Sequence, residues 1–232
     1  MKESEILKVN GEDISSKKRE KEKKLLERLI SAPVEYLIRH NISPNILTYI
    51  GFLFSLLASI FLGLGFIRNN ILYAWIPTIL IFMSGFFDVL DGSVARKTDK
   101  ESPEGAFLDS NIDRISDSIL IIGLIYGNLI NFFMGFIMIF LFLMISYTRS
   151  RAETEGVIMK GVGIMERAER LIILIIGLSI ETWVYGIHWA FTARPFTLFF
   201  QIFIFVYIIL LVITLSQRIV YPLRTLKRRE NQ

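Results

Sequence analysis

The sequence contains no cysteine. This excludes disulfide bonds, thiolate metal sites and a cysteine nucleophile, and it leaves the redox compartment unreadable. Histidine is almost as scarce, with only His40 and His188. They stand far apart, so neither points to zinc, and both read as ordinary interfacial histidines. Residues 1–40 are charged rather than a short apolar run ending in small residues, so no signal peptide is expected. No internal repeat and no low-complexity tract is visible. What fills the chain instead is apolar. Of 232 residues 53% are hydrophobic and the mean hydropathy is +0.50, although 21% are charged. That much charge must be segregated from the apolar stretches, which reads as a polytopic membrane protein.

Six apolar segments are expected, at 46–67, 71–90, 105–126, 128–148, 164–187 and 196–217. Each is about twenty residues long, enough at ~1.5 Å per residue to cross a hydrocarbon core of roughly 30 Å. Breaks at Asn69-Asn70, Gly127-Asn128 and Arg194-Pro195 separate three of the pairs. The expected fold class is all-α, with six transmembrane helices. Residues 1–14 read as disordered. Over 15–40 a Lys/Arg/Glu-rich stretch runs into Leu25, Leu26, Leu29 and Ile30, the spacing of an amphipathic helix. Such a helix suits an anionic membrane surface, or equally a place packed on the protein itself. The chain then divides into a cytoplasmic N-terminal segment 1–40, a membrane domain 41–222 and a basic cytoplasmic tail 223–232. Of the 26 Lys and Arg, 24 fall on the side that holds both termini, leaving Arg68 and Arg194 on the other. The positive-inside rule puts both termini in the cytoplasm of a multi-pass cell-membrane protein. No nucleic-acid partner is expected.

Against this apolar background one run stands out: Asp88-x2-Asp91-Gly92-x2-Ala95-Arg96-x8-Gly105-x3-Asp109-x3-Asp113. A carboxylate at membrane depth costs about 2.5–3.5 kcal/mol on insertion scales, so four standing alone would cost roughly 10 kcal/mol. A divalent cation is the natural compensation. Asp88 and Asp91 are three apart, and Asp109 and Asp113 four apart, so each pair shares a helix face. Asp117 continues the second stripe one turn deeper. Two facing helices with such pairs can surround one or two cations, and hard oxygen ligands suit Mg²⁺, with Mn²⁺ as a substitute. Cations so held polarise phosphoryl oxygens. Arg96 could grip a diphosphate, Gly92 leaves room for a close ligand, and the last aspartate can serve as base toward a hydroxyl.

The pattern resembles the signature of the CDP-alcohol phosphotransferases, D-x2-D-G-x2-A-R-x7/8-G-x3-D-x3-D, and every fixed position is matched from Asp88 to Asp113. Ser43-Pro44-Asn45-Ile46-Leu47-Thr48 is similar to the family's opening segment, which lines the cytidine end of the donor pocket. The resemblance implies six spans, a homodimer, a site open to the cytoplasm, and transfer of a substituted phosphate from a CDP-linked donor to an alcohol with release of CMP. It implies two Mg²⁺ per site. Asp88 and Asp109 would be shared ligands and Asp91 a ligand to one ion. Asp113 would be a ligand to the other ion and the catalytic base. It also places Asn45, Ile46, Leu47, Thr48, Gly92, Arg96 and Ser102 at the CDP moiety. No small-xxx-small stripe is read as demanding the dimer.

Downstream, Ser146-Tyr147-Thr148-Arg149-Ser150-Arg151-Ala152-Glu153, then Glu166-Arg167-Ala168-Glu169-Arg170, then Gln217-Arg218, gather arginines near one face. The positive-inside bias explains their number but not the clustering of Glu166, Arg167, Glu169 and Arg170 at the start of a span. These segments resemble the branch whose acceptor is inositol phosphate, the phosphatidylinositol-phosphate and archaetidylinositol-phosphate synthases. The resemblance implies Arg149, Arg167 and Arg218 as acceptor-phosphate contacts, with Arg170 competing for the place of Arg167. The expected reaction is transfer of a phosphatidyl- or archaetidyl-type group from a CDP-linked lipid to inositol phosphate. Alternatives are a CDP-inositol donor giving di-inositol phosphate phosphate, a glycerophosphate acceptor, and a metal-ion transporter lined by the four aspartates.

Overall fold

The computed structural model describes residues 28, 30–69, 73–192 and 198–230. Among the described residues every regular element is a helix. Helix α1 spans 30–39. It is followed by α2 (Pro44–Gly63), α3 (Phe66–Asn69), α4 (Trp75–Lys97), α5 (Pro103–Tyr126), α6 (Phe132–Thr154), α7 (Arg167–Thr192) and α8 (Leu198–Glu230). Five of these, α2, α4, α6, α7 and α8, are long and apolar enough to cross a membrane. The expected sixth, α5, has the length at 24 residues. Its first fifteen residues carry Glu104, Asp109, Asp113, Arg114 and Asp117, so composition alone does not mark it as a span.

The helix boundaries follow local chemistry. Pro44 sits in the first turn of α2, where its missing N–H costs nothing. Ser102 caps α5 by accepting the Gly105 N–H at 3.0 Å, with Pro103 next to it. Asn131 caps α6 through the Met134 N–H at 2.8 Å. At the start of α7 the Glu169 carboxylate accepts the Glu166 N–H at 3.0 Å, the reach-back half of a capping box. Gly65 (φ 76°), Asp99 (φ 51°) and Asn128 (φ 55°) turn the chain after α2, α4 and α5; of these only Asn128 falls at an expected break. Four helices, α4, α6, α7 and α8, run further at their C-terminal ends than the apolar segments do. α4 continues to Lys97, so Asp88 and Asp91 lie inside a helix rather than at its end. α8 continues through Pro222 to Glu230, where Arg229 donates to the Glu155 and Gly156 carbonyls. The basic segment 223–230 is therefore helix docked on the loop after α6. The expected break at Arg194-Pro195 and the expected disorder of 1–14 fall outside the described residues.

Packing neighbours close into a ring: α2–α4, α4–α7, α7–α8, α8–α6, α6–α5 and α5–α2. Among the described residues α4 and α5 do not pack on each other, and α2 lies between them. Small residues let α2 approach both. A Cβ on Gly51 would lie 3.3 Å from the Ser84 carbonyl oxygen of α4. The Ser55 and Ser84 hydroxyls are hydrogen-bonded at 2.6 Å. Ser59 donates to the Ile119 carbonyl of α5, and a Cβ on Gly123 would stand 2.6 Å from the Ser59 carbonyl oxygen. Gly51, Ser55, Ser59 and Gly63 recur every fourth residue. A small-xxx-small stripe thus does exist, and it serves contact within the chain.

The main core, with Leu62, Ile81, Leu120, Leu124, Met138, Leu178, Phe200 and Ile204, fills the half of the bundle away from the aspartates. Arg68 and Glu181 pair there at 2.8 Å, and Arg68 also donates to the Asn128 carbonyl. The described end of the predicted N-terminal amphipathic helix packs on the protein. Ile30 and Val34 are buried against Leu47, Leu90 and Val94, above the acidic end of α4. The rest of 15–40 lies outside the described residues.

Candidate active site

Two helices bring the carboxylates together. α4 contributes Asp88 and Asp91 from its second half, and α5 contributes Asp109 and Asp113 from its first half and Asp117 just past its middle. Because α2 holds α4 and α5 apart, their acidic faces meet across a gap rather than in contact. Asp88, Asp91 and Asp109 each offer a carboxylate oxygen, all within 4.8 Å of one another. Oxygens on opposite sides of a bound Mg²⁺ stand about 4.2 Å apart, twice the ~2.1 Å ligand distance, so small side-chain adjustments complete a site. Asp109 Oδ1 is buried and has no hydrogen-bond partner, an acceptor left unspent. The donor set and that orphaned oxygen both fit a hard divalent cation.

Asp113 stands outside this triad. Its Oδ1 lies 2.9 Å from Arg167 Nη1, which is also 2.8 Å from Asp88 Oδ1. Arg167 Nε is 3.6 Å from Asp117 Oδ1, and Arg170 holds the other oxygen of Asp117 at 3.0 Å. The four-aspartate group of the sequence pattern therefore separates into a triad and a carboxylate held by an arginine. Arg167 bridges the two, with one guanidinium nitrogen on both Asp88 and Asp113.

Thr48 of α2 donates to Asp91 Oδ2 at 2.6 Å. The contact is buried, and it fixes the orientation of the carboxylate. Sequence reasoning placed Thr48 at the nucleotide; it borders the cavity expected to hold the nucleotide, and its hydroxyl also engages a predicted metal ligand.

Two cavities flank the carboxylates. The first, about 530 Å³, is lined by Asn45 and Thr48 of α2, Asp91 and Gly92 of α4, Lys100 and Ser102 of the connecting turn, and Asp109. Asn45, Thr48, Gly92 and Ser102 were all expected at the nucleotide. Gly105 fits closely here, where a Cβ would come within 3.2 Å of Ser102 Oγ and 3.4 Å of Asn45 Oδ1. Ser102 already uses its oxygen as the cap of α5. Ile46 points outward and Leu47 is buried in the second core, so neither lines the cavity. Arg96 is exposed and folds back over Gly92, its Nη1 3.2 Å from where a Cβ would sit. Lys100 is a cation in this cavity that motif reading passed over; its signal was a base in the short turn between the two motif halves.

The second cavity, about 420 Å³, is lined by Asp109, Asp113, Arg149, Arg167, Arg170 and Arg218, among others. All three predicted acceptor arginines thus reach one space. Their charges are not equally free. Arg149 is paired with Glu153 at 3.0 Å, and Arg170 is tied to Asp117 and lies 4.5 Å over the Phe142 ring. Arg218 is 4% exposed and donates to the Val162 and Ile145 carbonyls. No carboxylate among the described residues pairs with it, so it is a buried cation with anion-binding capacity in reserve.

Comparison with known proteins agrees with this geometry. The family model of the CDP-alcohol phosphatidyltransferases matches residues 41–223. The archaetidylinositol phosphate synthase of Pyrococcus horikoshii is 42% identical over 161 residues, covering 69% of this chain and 80% of its own. The fold is also that of the crystal structure of Mycobacterium tuberculosis phosphatidylinositol phosphate synthase with CDP-DAG bound. That match has a TM-score of 0.67 and 25% identity, and covers 84% of this chain and 94% of that one. The same enzyme in complex with manganese and citrate matches at a TM-score of 0.66 and 25% identity, over 82% and 87% of the two chains. With its acidic triad, its paired cavities and a match spanning the whole bundle, the chain belongs to the CDP-alcohol phosphatidyltransferase family.

Proposed function

We propose that this protein transfers a phosphatidyl- or archaetidyl-type phosphate from a CDP-linked lipid to a hydroxyl of inositol phosphate, releasing CMP at the cytoplasmic face of the membrane. The observation that carries this reading is the meeting of the two cavities at Asp109, beside the triad. One space accepts a nucleotide and the other an anionic alcohol. The relatives named above supply the same pair of substrates by analogy. In this reading α5 is the sixth span.

Asp88, Asp91 and Asp109 would hold a first divalent cation, with Asp113 and Asp88 bordering the place of a second. Bound there, Mg²⁺ or Mn²⁺ neutralises the diphosphate and the departing phosphate. The protein's own groups do the positioning. Asn45 and the open Cα of Gly92 receive the nucleotide, and Lys100 adds a positive charge to the same cavity. Arg218 binds the phosphate of the acceptor, helped by Arg149. Asp113 takes the proton of the acceptor hydroxyl. The oxygen so freed forms the new bond to the lipid-side phosphorus, the bond from that phosphorus to CMP breaks, and CMP departs with its electron pair.

The ion-path reading loses ground because Leu120, Leu124, Leu178, Phe200 and Ile204 fill the bundle beyond Asp117. The test is to incubate purified protein with several CDP-linked donors, Mg²⁺ and labelled inositol phosphate, and to identify the product by mass. CMP is expected only when all three are present, with the label in a lipid-soluble product. Equal CMP release with glycerol phosphate or serine would overturn the acceptor assignment, and a water-soluble product formed from CDP-inositol would overturn the donor.

A further inference from the structure

Five carboxylates, Asp88, Asp91, Asp109, Asp113 and Asp117, crowd the facing halves of α4 and α5. Among the described residues, two guanidiniums lie within ion-pair distance of them, those of Arg167 and Arg170. Their roles differ. Arg170 is 3% exposed and clamped from several sides: Asp117 at 3.0 Å, the Phe142 ring at 4.5 Å, and a Tyr207 hydroxyl that fixes its backbone carbonyl. Arg167 is held by carboxylates alone. One nitrogen, Nη1, bridges Asp88 on α4 to Asp113 on α5. Its Nε is buried and makes no hydrogen bond, standing 3.6 Å from Asp117. Its side chain also lines the acceptor cavity, so that space is open to it without any movement of the helix.

A positive group that joins Asp88 to Asp113 across the gap occupies the place where a second cation would need those same oxygens. We infer that Arg167 is a resident counter-cation, which the second divalent ion displaces from Asp88 and Asp113 into the acceptor cavity, where its charge becomes available to the acceptor's phosphate. The inference rests on the divalent-cation reading above and adds an order to it. The triad loads first, because its three oxygens are already gathered and Arg167 touches only one of the three residues. The second cation and the acceptor anion then favour one another, since each gains from the arginine's move. That coupling is reciprocal by necessity. It also frees Asp113 from its ion pair at the moment the acceptor arrives.

The experiment is Mn²⁺ binding to the purified full chain, followed by electron paramagnetic resonance and calorimetry, with and without inorganic phosphate or inositol phosphate. The wild type is expected to show a tighter and a weaker site, the weaker tightening by roughly tenfold when phosphate is added, an ordinary size for coupling between sites. In Arg167→Gln the weaker site is expected to be tight without phosphate, and phosphate should no longer change it. Retention of the tighter site reports that the variant is folded. Arg167→Lys, whose single ammonium bridges less well, should fall between. A weaker site unmoved by phosphate in the wild type, or unmoved by Arg167→Gln in a protein that keeps the tighter site, overturns the inference while leaving the cation reading intact. Absence of any Mn²⁺ binding by the wild type overturns both.

Discussion

Thr48→Val offers a direct test of how the acidic triad is held. Valine keeps the shape of threonine and removes only the hydroxyl. In the structure that hydroxyl lies 2.6 Å from Asp91 Oδ2, and Asp91 is 6% exposed, so water cannot readily replace it. A hydrogen bond to a charged group contributes about 1.5–3 kcal/mol. At about 1.4 kcal/mol per factor of ten, its loss should weaken cation binding by roughly 10- to 100-fold. That is also the range seen when partners of metal-ligating groups are removed. The assay is CMP release as a function of Mn²⁺ at saturating donor and acceptor, together with direct Mn²⁺ binding. The half-saturating Mn²⁺ concentration should rise by that factor, with the KM for the CDP-linked donor little changed. Thr48→Ser, which keeps the donor group, should restore the wild-type value. If instead Thr48→Val raises the donor KM and leaves the Mn²⁺ dependence where it was, the hydroxyl acts on the nucleotide, as the opening segment of the sequence had implied, and the argument from geometry fails.

Arg218→Ala should raise the acceptor KM by about tenfold or more while leaving donor KM unaltered, because it deletes a buried charge with no carboxylate partner among the described residues; a loss confined to donor affinity would contradict this. Asp113→Asn should abolish turnover yet leave donor binding and the tighter Mn²⁺ site in place, and near-normal CMP release would overturn its assignment as base. Gly123→Ala should destabilise the bundle by roughly 1–3 kcal/mol, the usual cost of overpacking, because its Cβ would press within 2.6 Å of a backbone carbonyl of α2; an unchanged unfolding midpoint in detergent would show that α2 and α5 can separate freely.

The site was legible where chemistry is written in spacing. Aspartates three and four apart announced two acidic helix faces, and the structure places them opposite each other. The arginines of three separate segments were expected near one face, and they line one cavity. What stayed hidden is what depends on a third element. Thr48 reads as a polar contact for the nucleotide; that its hydroxyl also meets the buried Asp91 shows only once α2 is seen to run between α4 and α5. Arg167 lines the expected cavity, but nothing local says that α7 also delivers it to Asp88 and Asp113. Helix ends were hard for a different reason. Hydropathy stops where charge begins, but α4 and α8 keep their hydrogen-bond ladders well past that point. The same blindness makes α5 fail as a span on composition, since its acidic face supplies the very charges that lower its hydropathy. Glu181 went unremarked although a lone acid within an apolar run needs a partner; Arg68, far away in sequence, provides it.

The arrangement of the two cavities bears on the chemistry more strongly than any single side chain. Displacement at phosphorus requires the attacking and leaving oxygens to lie roughly in line, on opposite sides of the reacting atom. The larger cavity is built by α2, α4 and the first turns of α5, and the smaller by α5, α6, α7 and α8. α5 is the one helix common to both walls, and Asp109 and Ala106 are the residues they share. A phosphorus atom beside Asp109 would therefore face nucleotide on one flank and hydroxyl on the other, with Asp113 one turn further along the acceptor side. The ring order of the helices makes this possible. If α4 packed directly on α5, the acidic faces would close on each other and leave no gap. By inserting α2, whose small residues permit approach to both, the fold holds two charged surfaces at a fixed separation that a cation can bridge and an apolar side chain cannot.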